Sequence, residues 1–572
     1  MKWTGRYEGY RASSFRKDIV SGLIVGIIAI PLGMAFAIAS GVKPEYGIYT
    51  TIIAGILISL LGGSRYQIGG PTGAFIPILF AIVLQYGYEN LLIAGFMAGI
   101  ILVIMGVLRL GALIKFIPRP VTIGFTAGIA VIIFSGQIVQ FLGLTGTVKH
   151  EHFLPNMKEI ATHLSTFNAY SVATAAICLA AMLLTSKYLP KIPGSLVGLI
   201  ASSIIATLFF KGHVATIGSS FGAIPSSLPH FHFPDMTWDR VQTLLRPALV
   251  IAMLGGIESL LSAVVADGMT GARHNSNREL VGQGIANMAV PLFGGIPATG
   301  AIARTATNIK NGATSPISGV VHGVAVLLIL LLFAPFASEI PLASMAPILM
   351  MVAWNMSERK EFMHVLRTKT SDSIVLLITF LLTVFTDLTT SVEVGLVLSV
   401  ILFVKRMSEL LTVTKVLPDS ADKREKVRAH IVSESHDCPQ ISITTLDGPL
   451  FFGTAHRLEK AIRDTFRLRP HLWIIRMSKV TYMDMTGEAK LASLATDFGK
   501  HGGIVLISGI QPQAMEVVKK TGLHALIGDD RFFAHTGDAI DYALRHLESA
   551  KCIGCQHFAF RECQALSKGN AQ

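Results

Sequence analysis

Charge is scarce in this sequence. Asp, Glu, Lys and Arg make up 15% of the 572 residues, while apolar residues reach 51%. A typical soluble domain carries about 25% charged residues. The shortage excludes an ordinary soluble protein and points to a polytopic membrane protein with some soluble mass attached. Basic patches interleaved with aromatic residues are also missing. The net charge of +12 therefore does not read as a nucleic-acid surface. Lys and Arg instead cluster in loops between apolar runs, where they orient a chain in a bilayer. The apolar runs hold no nucleophile–base pairing, no metal-ligand helix and no phosphate loop. The chain therefore reads as a non-enzyme, and no cofactor is expected. No cleavage site follows the first apolar run, so residues 1–17 read as a cytoplasmic tail and not as a signal peptide. Cysteine is rare, at five residues. Cys178 lies alone in an apolar run and reads as inert core.

A bilayer core of roughly 30 Å takes about 20 apolar residues per helix. Long candidate spans cover residues 18–39, 46–62, 90–110, 119–143, 169–188, 193–211, 245–267, 315–336, 371–387 and 389–405. Shorter or Gly/Pro-broken candidates cover 71–86, 279–294, 300–312 and 342–357. These make fourteen. With Arg6, Arg11, Arg16 and Lys17 placed in the cytoplasm, alternation puts Arg109, Lys115, Arg119, Lys187, Lys191, Arg273, Arg278 and Lys310 on the same side. Arg359, Lys360, Arg367, Lys369, Lys405 and Arg406 follow them. The outer loops keep Lys43, Lys149, Lys158, Lys211 and Arg240. That bias favours fourteen spans over thirteen or twelve.

Fourteen spans divide into two sevens, about 18–211 and 245–411. An odd number per half forces the halves to insert with opposite topology. The third span of each half is preceded by a stretch that makes a poor membrane helix: GGSRYQIGGPTGAF (62–75) and GGIPATGAIART (294–305). Inverted repeats with interrupted helices at matching places are the pattern of secondary transporters. Non-helical backbone at that depth is tolerated only where protein or a water-filled cavity satisfies it. Gly69, Gly70 and Pro71 permit one break and a helix start; Gly294, Gly295 and Pro297 permit the other. Two helix N-termini then face each other, each with unpaired donors and about half a positive charge. That describes an anion site, with the amides of Thr72, Gly73 and Ala74 on one side and the helix starting near Thr299 or Gly300 on the other. Arg304, one turn into the second helix, adds a full charge and a fork suited to carboxylate or sulfate. An arginine at that depth faces a cavity or a partner. Glu258 is the one acid near the middle of span 245–267. It can carry a coupling proton, bind a cation, or pair with Arg304.

The motifs IAIPLGMAFAIASGVKPEYGIYT (28–50), GGSRYQIGGPTGAF (62–75), AMLGGIESLLSAVVADGMTG (252–271) and GATSPISG (312–319) resemble those of the SulP anion transporters, the sulfate permease family. Residues 257–287, 298–308 and 349–358 look most like its bacterial C4-dicarboxylic acid transporters. The resemblance implies a homodimer whose core and gate domains move like an elevator. It also implies an anion site made by Phe36, Thr72, Gly73, Ala74, Thr299, Gly300, Ala301, Ala303 and Arg304. Glu258 would couple a proton or sodium. Leu32 and Ala303 stand where animal relatives carry Gln and Ser; losing those hydrogen-bonding groups suits a larger organic anion such as succinate, fumarate or aspartate. Sulfate, bicarbonate, a channel-like conductance and a nucleobase-type permease are the competing readings. Arg304 argues against the last, since a neutral base needs no buried cation. The implied location is the bacterial inner membrane, with both termini cytoplasmic.

After Arg406 the pattern changes to alternating strands and helices, an α/β layer domain covering about 430–550. It resembles a STAS domain, the family's cytoplasmic appendage, which would bind regulatory proteins. The stretch DMTG (484–487) matches that domain's signature turn. Anti-sigma antagonists carry a phosphorylated Ser after the Asp; here Met485 excludes that, Thr486 remains open, and Asp484 reads as a helix N-cap. The tail 551–572 holds Cys552, Cys555, His557 and Cys563. One C-x-x-C without a second is a weak metal signal, and reduced thiols without a role are the plainer expectation.

Overall fold

The computed structural model describes the chain apart from residues 1–9, 113–117, 190–191, 228, 387, 419–426, 429–431, 434–435, 466–469 and 569–572. Arg6, Lys115 and Lys191, used above for orientation, lie outside the described residues. The chain forms two compact units, 1–399 and 400–572.

The first unit is helical. In order it has α1 (Ala12–Ala39), α2 (Pro44–Leu61), a two-residue strand β1 (Gly69–Gly70), α3 (Ile76–Tyr86) and α4 (Tyr88–Val107). Then come α5 (Arg119–Gly136), α6 (Ile138–Leu142), α7 (Phe153–Thr162), α8 (Ala169–Tyr188), α9 (Gly194–Phe209) and α10 (Ile217–Phe221). The second half has α11 (Trp238–Thr270), α12 (Ser276–Ala289), β2 (Thr299–Gly300), α13 (Ile302–Lys310), α14 (Ile317–Ser338), α15 (Leu342–Met356), α16 (Arg359–Arg367), α17 (Ser371–Phe385) and α18 (Leu388–Glu409). Each of the fourteen expected spans has a helix here. The structure adds α7, α10 and α16, which are too short to cross a bilayer. It also starts α1 and α11 earlier than their apolar runs do, because polar end turns carry no hydropathy signal.

Packing shows the repeat. Helix α1 packs on α14, and α11 on α4; α2 packs on α14, and α12 on α4; α5 packs on α17, and α15 on α8. Each pair turns into the next when the halves are exchanged, as a two-fold internal repeat requires. Two groups result: α1–α4 with α11–α14, and α5, α8, α9, α15 and α17. Close approach in the first group uses small residues, as in other membrane helices. A side chain on Gly99 of α4 would meet the backbone of Gly284 on α12, and the reverse also holds.

The second unit holds β3 (Thr412–Lys415), β4 (Leu417–Pro418), β5 (Val427–Arg428), β6 (Ile441–Asp447), α19 (Ala455–Thr465), β7 (Leu472–Lys479), α20 (Met485–Lys500) and β8 (Ile504–Ser508). It ends with α21 (Pro512–Thr521), α22 (Leu523–Ile527), β9 (Phe532–Phe533), α23 (Thr536–Arg545), α24 (Ser549–Cys552) and α25 (Cys563–Ser567). Its sheet runs β3-β6-β7-β8-β9, with β3 antiparallel and the rest parallel. Ile441, Ile443, Leu472, Ile474 and Leu506 fill one face, and Trp473, Ile475, Val505 and Ile507 the other. Both faces being covered explains the near-continuous apolar strands. Asp484 caps α20, accepting from the Gly487 amide at 2.7 Å.

Candidate functional site

The two interrupted stretches meet. β1 and β2 pair antiparallel, with Gly69 opposite Gly300 and Gly70 opposite Thr299. A 3-10 turn, Gly73–Phe75, then leads into α3, while α13 begins at Ile302. Two short helices thus start within a few residues of one shared ladder. Their opening amides have no carbonyl behind them.

Side chains from neighbouring helices hold this arrangement. Asn287 of α12 donates to the Ala298 carbonyl and accepts from the Ala298 amide, both at 2.8 Å. Thr50 of α2 accepts from the Ile296 amide at 2.7 Å. On the other stretch the buried Glu279 carboxylate accepts from the amides of Gly63 at 2.7 Å and Ser64 at 3.0 Å. Gln67 donates to the Ser259 hydroxyl at 2.9 Å, and Thr305 accepts from the Ile68 amide at 3.1 Å. Changing Asn287 to Ala leaves a buried amide and a buried carbonyl of Ala298 without these partners. The expected loss is about 1–3 kcal/mol for each group, read as a lower melting midpoint in detergent.

Arg304 is buried, with 4% of its surface exposed. Its Nη2 donates to the Pro71 carbonyl at 3.2 Å, and its Nη1 has no partner. The guanidinium carbon stands 6.0 Å from the centre of the Phe36 ring, within range of a cation–π attraction. Gly70 leaves the room for this: a Cβ there would fall against Nη1. Thr72, the residue before the 3-10 turn, has a buried hydroxyl without a partner. A Cβ on Gly73 would meet nothing nearer than Ile133 of α5 and Val352 of α15, both at 3.6 Å. Phe36, Thr72, Gly73, Ala74 and Arg304 are therefore gathered around one spot. It presents a cation, a hydroxyl and helix-end amides, with two of those donors unspent.

Other expected site residues do different work. The Thr299 hydroxyl donates to the Gly255 carbonyl at 2.8 Å. The Ala301 amide donates to the Ile68 carbonyl at 2.8 Å, so it is not free for a ligand. Gly300 is the strand residue at which a side chain would overlap Gln67. Ala303 lies on the exposed face of α13, turned from the buried face that carries Arg304 and Thr305. Leu32 packs against the cluster of Cys178, Met182, Leu199 and Ile348. These positions set the shape of the ladder and its surroundings instead of supplying free donors.

Glu258 of α11 is buried at 8% exposure and forms no hydrogen bond or ion pair with Arg304. It lines a separate cavity of about 100 Å³ with Thr122 and Thr126 of α5 and Glu393 of α18. That cavity lies between the two packing groups.

Sequence reasoning missed His322 of α14. It is fully buried, and its ring lies where a side chain on Gly55 would be. Its only sequence signal is a histidine within an apolar span. Asp18 was missed for the same reason. Its carboxylate accepts from the Thr314 amide at 2.6 Å and the Ser315 hydroxyl at 2.6 Å, fixing the loop between α13 and α14.

Comparison with known proteins agrees with this architecture. The sulfate permease family matches residues 15–379, and the STAS domain matches residues 433–539. YvdB of Bacillus subtilis, named as a candidate sulfate transporter, is 56% identical over 94% of this chain and 99% of its own. The bicarbonate transporter BicA of Picosynechococcus is 28% identical over 93% of this chain and 95% of its own. The murine Slc26a9 anion transporter, solved in an inward-facing state, superposes with a TM-score of 0.84 at 18% identity, covering 93% of this chain and 92% of that one.

Proposed function

The chain belongs to the sulfate permease family, and on that premise we propose that it imports C4-dicarboxylates such as succinate, fumarate or aspartate together with protons. The observation that carries an anion cargo is the pair of unspent donors, Arg304 Nη1 and Thr72 Oγ1, buried beside the start of α3. A neutral cargo would leave that cation uncompensated, which is costly in a medium of low dielectric. The guanidinium fork accepts a carboxylate or a sulfate equally well. Residues 257–287, 298–308 and 349–358 support the carboxylate through their resemblance to the C4-dicarboxylic acid transporters. The placements of Leu32 and Ala303 do not add to that choice, since neither offers its side chain to the gathered donors.

Coupling is assigned to Glu258, which lines the cavity between the packing groups and has no hydrogen-bond or ion-pair partner among the described residues. In this reading α1–α4 with α11–α14 carry the anion past α5, α8, α9, α15 and α17 in an elevator motion. The working unit is a homodimer in the bacterial inner membrane, with both termini and the STAS domain in the cytoplasm. The STAS domain offers regulatory proteins a docking surface.

Sulfate is the second reading, favoured by the name of the 56%-identical relative. Uptake into liposomes decides between them. Labelled succinate is expected to accumulate when the outside is acidified, and unlabelled sulfate in tenfold excess to compete weakly. Sulfate accumulation without succinate accumulation overturns the dicarboxylate assignment. A flux that does not saturate overturns the transporter reading in favour of a channel.

A further inference from the structure

The second unit gathers cysteines that the sequence scatters. A cavity of about 20 Å³ is lined by Cys438, Cys552, Cys555 and Cys563, with His557 and Phe560 beside them. Four of the five cysteines in the chain thus line one cavity. Cys438 comes just before β6, more than a hundred residues ahead of the other three, so the fold brings it there and not chain proximity. That volume is enough for a single ion or water.

Three of the sulfurs already accept N–H groups. The Ile441 amide donates to Cys438 Sγ at 3.4 Å, the Phe560 amide to Cys563 Sγ at 3.3 Å, and Gln440 Nε2 to Cys552 Sγ at 3.2 Å. Donors aimed at sulfur suit thiolates better than thiols, and outer-shell donors of this kind orient the ligands of metal sites.

The tail has little regular structure of its own. Helix α24 has four residues and α25 has five. Pieces that short do not persist in water unaided. They are held by Ala559, Phe560 and Cys563, which pack with Cys438, Ile441 and Leu472.

We propose that Cys438, Cys552, Cys555 and Cys563 form a tetrahedral thiolate site for one zinc ion, which staples the C-terminal tail to the sheet of the second unit. Four thiolates with a C-x-x-C pair among them match structural zinc and disfavour the harder cations. The proposed set leaves out His557, which the sequence alone placed in it: it borders the cavity, but the residue is exposed. Among the described residues no three ligating groups stand close enough together to hold a metal ion. The proposal therefore requires the tail to close on the ion as it binds, as is usual when metal binding and local folding are coupled. Each thiol that ligates gives up its proton to solvent, so apparent affinity falls as pH is lowered.

The test uses the full-length protein, purified in detergent without chelator, with metals measured by plasma mass spectrometry. About one zinc per chain is expected, falling below roughly a tenth of that in Cys438→Ser and in Cys555→Ser and unchanged in His557→Ala and Cys178→Ser. Wild-type protein stripped with chelator should take back one equivalent of zinc, with a matching fall in thiols reactive to a disulfide reagent. That second measurement does not depend on any variant folding. Wild-type protein that holds no zinc and takes none back overturns the proposal. So does zinc retained in Cys438→Ser, or iron in its place.

Discussion

Arg304→Ala is expected to abolish saturable anion uptake while the protein stays folded. Two arguments give that outcome. Among the described residues the guanidinium has one hydrogen bond to the protein, from Nη2 to the Pro71 carbonyl, and its Nη1 is without a partner. Its removal relieves the cost of a buried cation that has no carboxylate partner among the described residues, and loses that hydrogen bond and the contact with the Phe36 ring. These effects oppose each other, so the melting midpoint without substrate should change little. A bound anion is different, because its charge is then left buried without its partner. Truncating one member of a buried charged pair costs about 2–5 kcal/mol, or roughly 30- to 5,000-fold in affinity. Arg304→Lys keeps the charge without the fork and should fall between. Thr72→Ala removes one neutral donor, and a loss of about tenfold is expected. An Arg304→Ala protein that still takes up substrate with unchanged half-saturation would remove the cation from the site.

Glu258→Gln is expected to separate binding from coupling. Glutamine keeps the size of the side chain and cannot release a proton. With one proton carried per anion, each unit of pH gradient supports up to about tenfold accumulation, since one pH unit is 1.36 kcal/mol. The variant should lose that accumulation and keep exchange of labelled for unlabelled anion across the membrane. Its cavity, lined by Thr122, Thr126 and Glu393, is distinct from the donors around Arg304, which is why the two variants should fail differently. A wild-type response to the pH gradient in Glu258→Gln would take this residue out of the coupling role.

Much of this was legible in the sequence because its signals are local. A run of about 20 apolar residues is readable without any partner, and so are the Gly-Pro breaks at 69–71 and 294–297. The repeat followed from span parity and the matching place of the two breaks. Asp484 as a cap followed from its position before a helix. Other features depended on contacts far apart in the chain. Two-residue strands have no periodicity, so the β1–β2 ladder was invisible, and with it the occupation of the Ala301 amide by Ile68. Which face of α13 is buried depends on helices around it; the nine residues Ile302–Lys310 place Ala303 outward and Arg304 inward. Asp18, Glu279 and Asn287 read as stray polar residues until their loop amides are in view. Cys438 lay too far from the tail cysteines to be counted with them.

The most direct test is a structure determined with the transported anion at saturating concentration. The anion's density is expected within hydrogen-bonding distance of Arg304 Nη1 and the Thr72 hydroxyl, at the start of α3. Density lying elsewhere, with Arg304 Nη1 bonded to a protein carbonyl, would contradict the account.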